Sequence, residues 1–452
     1  MRLDWRMNEK VGPLNRLLCR LTSMSLTIRL SLPRPKAWAN RRSCKFRGLL
    51  HAIFVSIFIG GPVVAKADQP VDTVASVPGA LGREVTADLV NLVFLFDRVG
   101  AKPPKVITRD YLDRVSQPSS PFYRDYVAYR EGKIDRAQLA NRLPHVAMLG
   151  DSLTQHFYLS SMPSSFWRAR TVWRNNWFVD TDPAPKSVLS FCERMAHVTP
   201  LVAEEHNGAG AWVAPKESHE SLRQRVVRAR NFSGQTRVVL RQSRFPDLIM
   251  IWIGHNNLDW VHGLSPEQRA HPDKHLAEIA SHFRRDYAES LRPLINRAKT
   301  ENHKVAIMVF GLANIDAYLK ARHRVAALKA NNPNLYPYFQ EGEKSFESLK
   351  PPYQKNMARL AVMLNREMRS LVAELNGELR GSPSVRLEYS DELTKVDLSR
   401  VDLINTIDAY HFSIKGHTTV AEAAWKATGP TLRFLGINQT RQTRPSTMMT
   451  AR

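Results

Sequence analysis

The sequence predicts a three-layer α/β sandwich, a central parallel sheet between two layers of helices, on two observations. Short apolar runs at Val146–Leu149, Leu248–Ile253, Val305–Phe310 and Val385–Leu387 each lead through a loop into a helical pattern. That alternation is the mark of parallel strands joined by crossover helices. The helical spacing is explicit between the runs: Leu276, Ile279, Phe283, Tyr287, Leu291 and Leu294 recur every three or four residues, as do Met357, Leu360, Leu364, Met368, Leu371 and Leu375. Each stripe is wide enough to pack on a sheet face.

The strands are confined to part of the chain. Of 452 residues, the first 67 carry thirteen Lys and Arg against two acids. A basic patch from Arg41-Arg42 to Arg47 leads into the apolar stretch Leu49–Val64, then Ala65-Lys66-Ala67 before Asp68. This order predicts a signal peptide over residues 1–67 with an extended basic n-region, cleaved after Ala67. The apolar stretch is short of the roughly 20 residues a span requires, so no stable transmembrane anchor is expected after cleavage. The mature protein is expected to be secreted or periplasmic. Residues 68–143 hold short helical patterns broken by prolines and read as a helical N-terminal extension. The α/β domain covers 144–436, with an inserted segment at about 318–356 rich in Asn, Pro and aromatics, and 437–452 reads as a disordered tail.

Removing the first 67 residues takes +11 from the formal charge of +23. The remaining excess suits an anionic lipid or polysaccharide surface. No alternation of Lys/Arg with aromatics marks a single-strand binder, and nucleic acid is not expected as a partner. Cys19 and Cys44 fall in the leader, so Cys192 alone remains and no intrachain disulfide is expected; Cys192 reads as a buried apolar contact.

The chemistry-bearing residues sit at the ends of the apolar runs. Leu149-Gly150-Asp151-Ser152-Leu153-Thr154 places a serine at the carboxyl end of the first strand, where open α/β sheets bind ligands. A serine hydroxyl needs a base and donors for the oxyanion. Asp408-Ala409-Tyr410-His411-Phe412 offers a histidine with an aspartate three residues before it, the makings of a compact triad. Ile251-Trp252-Ile253-Gly254-His255-Asn256-Asn257 brings an amide to the mouth of a second strand, with Asn256 as oxyanion donor. Asn207-Gly208-Ala209-Gly210-Ala211 gives a small-residue loop whose glycine N–H can approach a substrate closely; Gly210 is preferred over Gly208.

In this order the four elements resemble the GDSL or SGNH hydrolase family of acylhydrolases and esterases over about residues 144–430. The resemblance implies the flavodoxin-like SGNH hydrolase fold. It also implies Ser152 as nucleophile and oxyanion donor, Gly210 and Asn256 completing the oxyanion hole, His411 as base and Asp408 orienting it. Asn257 stands where the family has aspartate, and the interval from Ser152 to Gly210 is longer than usual.

The expected function is therefore cleavage of ester bonds through an acyl-enzyme, on a small-molecule or envelope ester. Acyl transfer to another acceptor and removal of O-acetyl groups from envelope glycans use the same site. A catalytically silent glycan- or lipid-binding module of the same fold is the rival of a different class. No cofactor and no metal are expected, because a zinc site needs three or four convergent ligands and neither His275 with His282 nor any cysteine pair supplies them. His255 reads as a substrate contact or as loop packing. Trp167, Trp173, Trp177 and Phe178 read as pocket lining or as core.

Overall fold

In the computed structural model, residues 107–154, 156–157, 171–172, 176–180, 188–208, 210–213, 231–332, 351–405 and 410–439 are described. The signal peptide, Trp167, Trp173 and Asp408 lie outside them. Strand β1 (Ile107–Tyr111) leads through α1 (Tyr123–Arg130) and α2 (Arg136–Arg142) to β2 (His145–Gly150). Two short strands paired antiparallel, β3 (His156–Phe157) and β4 (Thr171–Val172), precede α3 (Phe191–Ala196) and β5 (Leu201–Glu205). The chain continues through α4 (Phe232–Leu240), β6 (Leu248–Trp252), α5 (Pro266–Ala270), α6 (Asp273–Lys299) and β7 (Val305–Phe310). It ends with α7 (Ile315–Asn331), α8 (Pro351–Glu378), β8 (Val385–Ser390), α9 (Ile414–Ala427) and α10 (Gly429–Phe434).

Six strands form one sheet in the order β1-β5-β2-β6-β7-β8, parallel throughout except β1, which pairs antiparallel with β5. Apolar side chains on both faces of the central strands explain why helices cover both. In β6, Leu248, Met250 and Trp252 enter one cluster and Ile249 and Ile251 the other; in β7, Ala306, Met308 and Phe310 oppose Val305, Ile307 and Val309. A strand that is apolar at every position must be buried twice. Helices α4, α6 and α8 cover one face and α3, α9 and α10 the other, while α7 sends Ile315 and Leu319 to the first cluster and Tyr318, Ala321 and Val325 to the second. The expected sandwich is present. The two predicted apolar stripes are the buried faces of α6 and α8.

Around this framework the segment read as a helical extension holds α1 and α2, and it also contributes β1 to the sheet edge. The segment read as an insertion at 318–356 includes most of α7 and the start of α8, while residues 333–350 lie outside the described set. At the expected tail, Ile437 packs against the core and the Gln439 side chain donates to Trp425 O at 2.7 Å. Among the described residues no helix is long and apolar enough to cross a membrane. Cys192 and Trp177 are fully buried, and Trp177 meets Trp252 and Phe310 edge-on, so both belong to the core. Burial raises the Cys192 thiol well above its ordinary range, with Glu205 and Glu193 adding to the effect.

The order of the strands creates the site. The chain runs from β2 outward to β5, then crosses back over β2 to β6, so the sheet's direction of winding reverses beside β2. Crevices open at the carboxyl ends of strands at such a reversal. The loops after β5, β2 and β6 carry Gly210, Ser152 and Asn256.

Candidate active site

Ser152 begins a single 3-10 turn, Ser152–Thr154, directly after β2. The turn is tight because Gly150 permits it: a Cβ there would lie 2.3 Å from a Thr154 methyl and 2.9 Å from Trp252 O. Gln235 of α4 clamps the same residue, accepting from Gly150 N and donating to Gly150 O, both at 2.8 Å. Asp151 is fully buried and accepts from Leu153 N at 3.0 Å. Asn207 reaches across from the β5 loop, donating to Thr154 O at 3.2 Å and Glu205 Oε1 at 3.1 Å. Ser152 itself is 7% exposed, so its hydroxyl stands in a turn held from three sides without the hydroxyl's help.

The glycine loop after β5 separates its two candidates. Gly208 N donates to Gly150 O at 3.0 Å, which commits its N–H to the serine turn. Gly210 lies in the left-handed region at φ 68° and is half-buried, and its N–H has no hydrogen bond among the described residues. The Gly208 N–H is thus engaged by a backbone carbonyl, and the Gly210 N–H is not, among the described residues.

After β6, Gly254 at φ 126° turns the chain sharply into Asn256. The Asn256 amide donates to Ala211 O at 2.8 Å, which fixes its nitrogen toward the glycine loop and ties the two loops together. Asn257 is fully buried and its Oδ1 accepts from Val213 N at 3.0 Å. An aspartate oxygen can make that same bond, so the exchange at this position keeps the buttress. The Asn257 Nδ2 has no partner among the described residues.

His411 lies just before α9. Ser413 caps that helix by accepting from Gly416 N at 3.1 Å. The loop is pinned by a bridge between Ile404 and Phe412, with Asn405 N donating to His411 O at 2.8 Å. Trp252 at the end of β6 stacks on Phe412 at 6.1 Å and meets His255 edge-on at 4.9 Å. One aromatic side chain thus touches both the asparagine loop and the neighbour of His411.

The serine turn, the asparagine loop and the histidine loop border one cavity of about 140 Å³, whose lining includes neighbours of Ser152 and His411 but not those two residues or the glycine loop. Leu153, Asn256, Tyr410 and Phe412 line it, that is, the residue after Ser152, the proposed amide donor, and both chain neighbours of His411. Apolar residues such as Leu258, Ile315 and Leu319 complete much of the wall. Sequence reasoning missed Tyr318 and Arg322, which also line it. They are one turn apart on α7, within the stretch read as an insertion. Tyr318 Oη donates to Tyr410 O at 2.8 Å, and the buried Arg322 guanidinium sits 5.9 Å and 5.7 Å from the rings of Tyr318 and Tyr410. The i,i+4 interval was the available signal. His275 is half-buried and contacts Glu278 at 3.3 Å; among the described residues no group of three or more His, Cys, Asp or Glu is placed to hold a metal ion.

Behind the site, His417 is fully buried and accepts from Trp177 N at 3.2 Å through Nδ1. Burial first, and His411 second, push its pKa down to about 3. Below its unfolded value near 6.5 the unfolded chain takes up a proton that the folded state refuses. The resulting stability is complete above about pH 6.5 and is lost as pH falls toward 3, at about 1.4 kcal/mol per unit. His417→Gln is expected to flatten the melting temperature against pH between 6.5 and 4, a slope readable by scanning fluorimetry; an unchanged slope would discard this account. Glu204 acts lower down. Burial pushes its carboxyl up, but hydrogen bonds from His145, His206 and Gln242 outweigh that and hold it at about 2, so its contribution is lost only below about pH 4.5.

No protein-family model matches the sequence, and no curated protein matches it. Among solved structures, the crystal structure of the lipase Lip_vut3 from a goat rumen metagenome aligns at 15% identity and a TM-score of 0.32, covering 63% of this chain and 97% of that one. A second crystal structure aligns at 13% identity and a TM-score of 0.32, covering 65% of this chain and 99% of that one.

Proposed function

We propose that the protein is a secreted serine hydrolase that cleaves ester bonds. The observation that carries the reading is the cavity above, whose wall takes residues from the serine turn, the asparagine loop and the histidine loop together. In this reaction Ser152 Oγ attacks the acyl carbonyl while His411 takes its proton, with Asp408 orienting the imidazole. The backbone N–H groups of Ser152 and Gly210 and the second amide hydrogen of Asn256 hold the oxyanion. The tetrahedral intermediate collapses with loss of the alcohol, which receives the proton from His411. Water then enters, gives its proton to His411 and releases the acid, restoring the serine. The small, largely apolar cavity favours a short acyl group over a long chain. Export follows from the basic, apolar and small-residue order within residues 1–67, and the basic mature chain suits esters carried on an anionic envelope surface.

The test is covalent. A fluorophosphonate probe is expected to label the full chain at one site, mapped by peptide mass spectrometry to the peptide carrying Ser152, and labelling is expected to abolish hydrolysis of p-nitrophenyl acetate. Labelling on a different serine would overturn the assignment of Ser152 as nucleophile, and no labelling at all would overturn the hydrolase reading and favour a silent binding module.

A further inference from the structure

We infer that His255 is a positioning residue that locks the nucleophile turn to the oxyanion loop, and neither carries a proton in the reaction nor binds substrate. This rests on the serine-hydrolase reading for its kinetic consequences, although the lock itself is a feature of the fold.

Both ring nitrogens of His255 are committed. Nδ1 lies 2.8 Å from Asp151 Oδ2, and Nε2 lies 3.2 Å from Ala313 N. A backbone N–H can only donate, so Nε2 is the acceptor and the ring is the neutral tautomer with its hydrogen on Nδ1. That hydrogen is directed at Asp151. The same Asp151 oxygen accepts from His255 N at 3.3 Å, while Oδ1 accepts from Leu153 N at 3.0 Å. One carboxylate therefore holds the residue after the nucleophile with one oxygen and the residue before Asn256 with the other. His255 passes the connection on to Ala313 in the loop after β7, so the loops of three adjacent strands form one hydrogen-bonded unit.

The arrangement is costly to disturb. Asp151 is fully buried and His255 is 4% exposed, and a carboxylate in such a place needs its donors. His255 also meets Trp252 edge-on at 4.9 Å, which fixes the ring plane. The unit sets the separation between the backbone of Ser152 and the Asn256 amide, two of the groups that must meet one oxyanion. Misplacement by about 1 Å can cost on the order of 100-fold in rate. Although His255 borders the cavity, its nitrogens face the protein, so its removal should act on kcat and not on KM.

Two substitutions divide the two bonds. His255→Asn places an amide nitrogen near the position of Nδ1 and keeps the donor to Asp151, while His255→Gln reaches the position of Nε2 and keeps the acceptor for Ala313 N. With p-nitrophenyl acetate, H255N is expected to retain kcat within about 3-fold and H255Q to lose about 30- to 100-fold at unchanged KM. H255Q is expected to melt lower than H255N, because it alone leaves the buried Asp151 carboxylate short of a donor, so both rates are measured at a temperature where each variant is fully folded. Rates of fluorophosphonate labelling are expected to follow kcat. Parent kcat in H255Q, a change confined to KM, or equal losses of kcat in the two folded variants would each overturn the assignment. If the parent protein neither hydrolyses the ester nor labels, the serine-hydrolase reading fails, and amide hydrogen exchange over residues 151–157 then decides the lock. Faster exchange there in H255Q than in H255N supports it, and identical exchange in both overturns it.

Discussion

Ser152→Ala is expected to lower kcat on p-nitrophenyl acetate by about 10³-fold or more, with the melting temperature essentially unchanged. The two halves of this expectation have separate physical origins. The hydroxyl is the attacking atom in the proposed reaction, and the other hydroxyl of the turn, on Thr154, is fully buried and donates to Asp151 O at 2.7 Å. The turn is held by the Asp151 carboxylate, the Gln235 clamp on Gly150 and the Asn207 amide on Thr154 O, none of which uses Ser152 Oγ. His411→Ala is expected to lose activity to a similar degree, because an unactivated serine is nearly as poor a nucleophile as none. The double variant is expected to be no worse than either single one, since the two residues act as a unit. Hydrolysis by Ser152→Ala at the parent rate would mean that another nucleophile does the work. Loss in the two singles that multiplied in the double would mean that they act independently.

The fold was legible because the central strands are apolar at consecutive positions. Leu248-Ile249-Met250-Ile251-Trp252 can only be buried on both faces, and a sheet buried on both faces requires helices on both. β1 was not legible for the opposite reason. Ile-Thr-Arg-Asp-Tyr is an edge strand with mixed polarity, and its place in the sheet comes from antiparallel pairing with β5 about ninety residues onward in the chain. The strand-end positions of Ser152 and Asn256 could be read from where their apolar runs stopped. The preference for Gly210 over Gly208 was also read from the sequence, but the bond that engages the Gly208 N–H with Gly150 O was not, because it depends on where one N–H points. The Asp151–His255 contact joins residues 104 apart in the chain, and nothing local in either segment signals it. Arg322 and Tyr318 escaped for a different reason: the polar, proline-bearing sequence after α7 drew the whole stretch into a presumed insertion. Asp408 falls within residues 406–409, outside the described set, so its role stays with the sequence resemblance.

Asn256→Ala should carry the largest effect outside the Ser152–His411 pair, a loss of about 10²- to 10³-fold in kcat with little change in KM. The ground-state carbonyl gains little from a donor that is aimed at the developing oxyanion, so the loss belongs to the transition state. The amide has a second task, because its nitrogen donates to Ala211 O at 2.8 Å and so helps hold the loop that presents Gly210. Alanine removes both contributions at once. Asn256→Asp separates them by sign: it keeps the shape of the side chain but offers oxygens where hydrogens are needed, turning one toward Ala211 O and bringing negative charge to the oxyanion. At neutral pH it is expected to be at least as damaging as alanine. A tether alone would predict a different pattern, a modest fall in melting temperature for both variants with kcat within about 3-fold of the parent. The deciding measurement is the single-turnover rate of acylation, followed by burst kinetics with p-nitrophenyl acetate, since the oxyanion forms once in acylation and again in deacylation. Both steps should slow in Asn256→Ala; slowing of neither would remove Asn256 from the oxyanion hole and leave it only the tether to Ala211.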